Sequence, residues 1–380
     1  MKLTHNAWVV ILIWLFLICL PIGISKLIVF IANQSIPPSP AQPIAQQPAR
    51  QIAERIATTT EEIISVIPAG TSTVLTASHW VPQTLNNCGP ATTVMLLQHF
   101  GYAANQKTVR ANLHKHSWDK NTHMYEIRDY LKDKYGISSK WMYNGTVDIV
   151  KTLLANGFYV MVEGWARPGE DVGHLSLIRG YDDGKKVFIA DDSLLGIGVL
   201  YPYATFVEKQ WKIFNYEYLP VYAPEQEPIV KKIIGADWDE QVMYQNAITR
   251  NQADAARHPH DPYPWFNIGT SYFGLGEYEK AKIAFETSRA IGWPSRMLWY
   301  QIQPIQNYNR LKEYKKALEL IAVGLKNNES FAELYEERAI AYAGLGDAAR
   351  AKDAAETAVR LAPESTSAKN LLLALQSPFQ

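Results

Sequence analysis

The sequence predicts a chain in three parts: an N-terminal transmembrane helix, an α+β domain and an all-α repeat solenoid. Three observations predict it. An apolar run, WVVILIWLFLICLPIGISKLIVFI, occupies residues 8–31. Mixed helical and strand patterns fill residues 78–222. From about Asp237 the patterns are helical, and one motif returns near every 34 residues.

At 380 residues the chain exceeds one ordinary domain. Lys+Arg and Asp+Glu balance at 37 each, with no long basic stretch, which argues against a nucleic-acid partner. No cofactor motif is present. The two cysteines are Cys19, inside the apolar run, and Cys88, in the soluble part, so a disulfide between them is geometrically implausible. A lone cysteine is ordinarily a small buried hydrophobe, so the neighbours of Cys88 must decide its role.

The run Trp8–Ile31 is long enough to cross a bilayer, which takes about 20 apolar residues. A cleaved signal peptide is the alternative, but the run exceeds a usual signal core and no small-x-small site follows it. Lys26 can snorkel to the interface. The charges flanking the run lean towards an inside N-terminus, hence a single-pass cell-membrane protein with extracytoplasmic soluble domains. The anchor is assigned to residues 1–34. A tether follows over residues 35–77, with five prolines in 35–50 and a short helix in 51–67.

The α+β domain, residues 78–222, carries the candidate chemistry. In VPQTLNNCGPATTVMLLQHFG, Pro90 suits a first helical turn, Val94, Leu97 and Phe100 recur at helical spacing, and Gly101 terminates the pattern. Cys88 therefore stands at a helix N-terminus, where partial positive charge favours the thiolate. Gln83 lies five residues upstream, where its amide can donate to an oxyanion. A thiol nucleophile also needs a base and a group that orients it. His174 opens a strand pattern through Tyr181, Asp183-Gly184 signals a hairpin, and Lys186–Asp191 returns as a second strand. Asp191 and Asp192 thus come back beside His174. A two-residue turn puts Asp191 on the face of His174; Asp192 needs a three-residue turn or a bulge. Helices are expected over Glu126–Tyr135 and Thr146–Ala155, and a strand over Phe158–Trp165. His114, His116 and His123 have no partners at metal-ligand spacing and read as surface residues.

The ordered pattern Q-x4-C-G-P-A, G-H-x5-G-Y-D-D and D-D-S resembles the C39 family and its C39-like relatives, which are papain-like cysteine peptidases. The resemblance covers residues 78–222. It implies Cys88 as nucleophile, His174 as base and acid, Gln83 as oxyanion donor and Asp192, followed by Ser193, as the orienting residue. The Gln-to-Cys spacing of five is one shorter than papain-like enzymes commonly show, so this loop must be tighter or differently bent.

Residues 223–261 read as a connector with a capping helix at 238–257, and residues 262–376 as repeats. Trp265, Ile268, Gly269, Tyr272, Ala281 and Phe285 form a pattern that resembles tetratricopeptide (TPR) repeats. Ala281, Ala317 and Ala351 are 36 and 34 residues apart. The resemblances imply a membrane-anchored cysteine peptidase acting on a peptide or protein, with a protein partner bound by the repeats. A silent binding scaffold and an amide hydrolase or acyltransferase on a non-protein substrate are the alternatives.

Overall fold

A computed structural model of the protein describes residues 64–113, 121–326 and 328–376. The anchor, the first part of the tether, His114 and His116 lie outside the described residues. Among those described, no helix is long and apolar enough to cross a membrane.

The α+β domain is built on one antiparallel sheet. Its strands are β1 (Ser72–Val74), β2 (Ser138–Ser139), β3 (Tyr159–Trp165), β4 (Gly173–Asp182), β5 (Val187–Asp192), β6 (Gly196–Pro202) and β7 (Tyr218–Tyr222). They run in the order β2-β7-β3-β4-β5-β6, and β1 pairs with the far half of β4. The domain therefore begins ahead of residue 78: besides the β1 ladder, Tyr181 Oη donates to the Gly70 carbonyl at 3.1 Å. β4 is buried through most of its length, and with it the polar side chains of His174, Ser176 and Arg179.

One face of the sheet packs α1 (Cys88–His99), α2 (Gln106–Leu113) and α3 (Met124–Tyr135) through Met95, Leu96, Leu131, Leu175 and Leu177. The other packs α4 (Val147–Ala155), whose start is fixed by Thr146 Oγ1 accepting from Ile149 N–H at 3.1 Å. Phe188, Tyr201, Phe206, Trp211 and Tyr218 fill this second layer. Each large apolar side chain so buried contributes about 1.5–3 kcal/mol before entropy is counted. His123 is not the surface residue expected from its loop-rich context. It stacks on Tyr125 with ring centroids 5.1 Å apart, and burial lowers its pKa to about 4.

A further helix, Glu240–Arg257, begins at Asp239, whose carboxylate accepts from Gln241 and Val242. Three helix pairs follow: Pro262–Gly274 with Tyr278–Ile291, Gln303–Arg310 with Tyr314–Leu325, and Ala332–Gly344 with Ala348–Leu361. Helix Thr366–Gln376 packs on the last pair. Small residues let the pairs approach closely: a side chain at Gly274 would strike the Tyr244 ring, and one at Gly344 the Tyr314 ring. These helices do not hang from the domain as a separate arm. Trp165, Ile213 and Phe214 of the α+β domain share a core with Phe266, Phe285 and Met297 of the solenoid. Asn267 Nδ2 donates to the Lys212 carbonyl at 2.7 Å, and Lys212 Nζ meets Asp261 at 2.7 Å. From Ile64 onward the chain forms one compact unit.

Candidate active site

Cys88 opens α1 at the middle of the sheet. The loop ahead of it is tight: Asn87 N–H donates to the Thr84 carbonyl at 3.0 Å, and Asn86 adopts a left-handed φ of 59°. Asparagine tolerates that conformation better than most residues, and it absorbs the short Gln83-to-Cys88 spacing. Gln106 braces the loop from α2, accepting from Thr84 N–H and donating to the Pro82 carbonyl, both at 2.9 Å. Thr92, one turn into α1, donates to the Leu175 carbonyl at 3.0 Å and so ties the cysteine helix to the histidine strand.

His174 hydrogen-bonds the partly buried Cys88 sulfur on one side and Asp192 on the other, with Nε2 2.9 Å from Asp192 Oδ1. Nδ1 is thereby left to the thiol. Burial opposes charge on the thiol, but the His174 contacts and the backbone N–H groups of Leu175 and Gly89 win, and the Cys88 pKa is lowered. Burial likewise opposes the imidazolium, yet Asp192 and Cys88 raise His174 to about 10. Both shifts favour a thiolate–imidazolium pair.

Asp192 is fully buried and its oxygens are saturated. Oδ1 also accepts from Leu194 and Leu195 N–H at 2.7 and 2.9 Å, and Oδ2 accepts from Tyr201 Oη. Against the cost of burial, His174 first, then Tyr201 Oη and the Leu194 N–H, hold its pKa at about 2. Asp191 faces elsewhere: it takes Arg179 Nε at 2.7 Å and Ser78 N–H at 2.7 Å. The choice between the two carboxylates is made by a bulge. Near the turn Asp182 pairs with Val187 and Gly180 with Ile189, a register that would aim Asp191 at the histidine face. Arg179 then stands out of the ladder, Ile178 pairs with Ala190, and the faces exchange.

Gln83 completes the group. Its backbone N–H donates to the Ser193 carbonyl at 2.9 Å, and its Oε1 accepts from Ser193 Oγ at 2.8 Å. That bond assigns the amide orientation and leaves Nε2 without a hydrogen-bond partner among the described residues. Cys88, His174, Asp192 and Gln83 are thus brought together. Sequence reasoning did not assign roles to Ser193, Tyr201 or Trp80, whose indole donates to the Asp192 carbonyl at 3.0 Å. Of these only Ser193 carried a signal, in the D-D-S phrase.

Residues 74–219 match the Peptidase_C39 like family. Residues 263–288 and 332–365 match the tetratricopeptide repeat. A C39-like domain followed by TPR repeats is therefore the organisation of the described chain. Among solved structures, a putative C39-like peptidase from Bacillus anthracis is similar over 40% of this chain and 98% of its own, at 12% identity and a TM-score of 0.35. MamA from Desulfovibrio magneticus RS-1 is similar over 35% of this chain and 74% of its own, at 22% identity and a TM-score of 0.33. The second TPR domain of human RPAP3, solved with an HSP70 peptide, is similar over 30% of this chain and 98% of its own, at 21% identity and a TM-score of 0.27. No curated protein sequence matches.

Proposed function

We propose that the C39-like domain is a cysteine peptidase that cleaves peptide bonds through an acyl-thioester on Cys88. The observation that carries this reading is the chain of contacts from Cys88 through His174 to a saturated Asp192. The thiolate attacks the scissile carbonyl, and the His174 imidazolium protonates the leaving amine. Water then attacks the thioester with His174 as base, releasing the acid and regenerating the thiol pair. Gln83 Nε2, left available by the Ser193 bond to Oε1, and the Cys88 backbone N–H stabilise the oxyanion in both steps.

Exposed apolar side chains around the site, Trp80, Leu85, Leu194 and Leu195, support an extended chain as substrate rather than a small polar molecule. In this reading the TPR repeats hold a protein partner or a distal part of the substrate, and the apolar run Trp8–Ile31 tethers the enzyme to the membrane.

The test is a peptide-library digestion by the full chain, read by mass spectrometry, beside Cys88→Ser. New termini that require Cys88 support the reading. A folded protein whose Cys88 reacts normally yet cleaves no peptide, while hydrolysing a small amide, moves the activity to a non-protein substrate.

A further inference from the structure

A chamber of about 160 Å³ is closed on one side by the C39-like domain and on the other by the TPR segment. Glu163 of β3 and Glu217 ahead of β7 enter it from the sheet. Trp141, Tyr143 and Tyr300 are its aromatic walls. Among its described lining residues there is no lysine or arginine. His123, also at the wall, is held neutral by burial, with a pKa near 4.

Two buried carboxyl groups side by side are costly unless something compensates them. Glu217 accepts from the Trp141 indole. Glu163 is 7% exposed and has no hydrogen-bond partner among the described residues. Gln303 adds a second orphan: its Oε1 is buried at the same wall without a donor. Unmatched acceptors and aromatic faces, with no cation among them, are what an alkylammonium or guanidinium group needs. The volume suits one side chain and is too small for a typical whole ligand.

The chamber lies near the reacting sulfur, which is not itself among the lining residues. Gly164, next to Glu163, pairs with His174, and the Tyr300 ring lies where a Cβ on Gly173 would stand. The Cys88 charge is felt at both Glu163 and Tyr300. We propose that this chamber is a substrate subsite that takes the cationic end of a lysine or arginine side chain, with Glu163 as its principal anionic partner. The subsite role rests on the peptidase reading; cation binding by the chamber does not. Burial, together with the Glu217 and Cys88 charges, raises the Glu163 carboxyl well above its usual range, and burial pushes Glu217 up to about 8. A cation in the chamber would favour the charged form of both carboxyl groups.

Calorimetry on the full chain carrying Cys88→Ser tests cation binding with butylguanidinium, butylammonium and the neutral butylurea. The two cations are expected to bind and butylurea not to. Glu163→Gln, which keeps shape and removes the buried acid, is expected to weaken the cations about tenfold or more. Equal binding in Glu163→Gln, or no saturable binding of either cation to the parent, overturns the proposal. The subsite role is read from Cys88 labelling by peptidyl acyloxymethyl ketones carrying lysine or the neutral norleucine. Lysyl labelling faster by about tenfold, with the ratio lost in Glu163→Gln, supports it. Equal rates in the parent overturn it. If neither ketone labels Cys88 while butylguanidinium still binds through Glu163, the cation chamber stands and the peptidase reading fails.

Discussion

Arg179 Nε donates to Asp191 Oδ1 at 2.7 Å, and this buried pair sits at the bulge that turns Asp192 towards His174. Arg179 is the residue left out of the ladder, and Asp191 is the partner that fixes where its side chain goes. Gly198 N–H, beside the matching irregularity in the β5–β6 ladder, donates to the same Asp191 oxygen at 3.2 Å. The rival carboxylate thus acts as the register pin for the one that orients the histidine.

Arg179→Met should therefore affect both stability and site. Removing one partner of a buried pair costs about 3–5 kcal/mol, because the other charge stays buried and unpaired. Urea denaturation would show the loss, and Cys88 alkylation would show a weakened thiolate. Replacing both partners by Met and Leu should restore much of the stability but not the thiolate, since the bulge would no longer be pinned.

Gln83→Ala should lower peptide turnover by about 10²–10³-fold, the usual scale for one oxyanion donor. The pH dependence of Cys88 alkylation should stay unchanged, because Gln83 does not touch the Cys88–His174 pair. Ser193→Ala, which only frees Gln83 to rotate, should give a smaller loss with the same signature. Comparing turnover with alkylation in both variants checks this.

The stability of the site should depend on pH at both ends. Asp192 lies below its ordinary 3.8, at about 2, so its contribution is present above pH 3.8 and is lost as pH falls through 2. His174 lies above its ordinary 6.5, at about 10, so its contribution is full below pH 6.5 and is lost as pH rises through 10. The advantage of the parent over Asp192→Asn, measured as urea midpoints, should peak between about pH 4 and 6.5 and shrink on both sides. A flat difference would remove the ion pair from the account.

A fragment beginning at residue 78 should be less stable than one beginning at residue 64. It loses β1, the Leu75 N–H bond to the Arg179 carbonyl at 2.8 Å and the Arg179 Nη1 bond to the Leu75 carbonyl at 3.0 Å. A few such bonds amount to about 2–4 kcal/mol. Because they brace the bulge residue, thermal melting and Cys88 alkylation should worsen together.

Much of this was legible in the sequence because it is local. Gly-Pro after Cys88 starts a helix, and GHLSLIRGY with its returning strand makes a hairpin. The recurrence of Ala281 at Ala317 and Ala351 makes stacked helix pairs. The choice between Asp191 and Asp192 was not decidable from turn length alone. It depends on a bulge held by Arg179, and one residue of slip flips every side chain. Likewise Ser72–Val74 carries too few residues to announce a strand, and only its pairing with β4 reveals it. The docking of Tyr300 and Phe266 around Trp165 joins residues about a hundred apart or more, with no local pattern. The chamber near Cys88 arises from that docking, so it too had no signature along the chain.

The most direct test of the central claim is the rate of Cys88 alkylation by iodoacetamide across a pH series, on the full chain and on His174→Ala. The account predicts an apparent thiol pKa clearly below 9 in the parent. In His174→Ala it should be restored to or above 9, since burial then acts unopposed. A parent thiol that titrates at its ordinary value in folded protein, or one whose depression survives loss of His174, would contradict the catalytic pair.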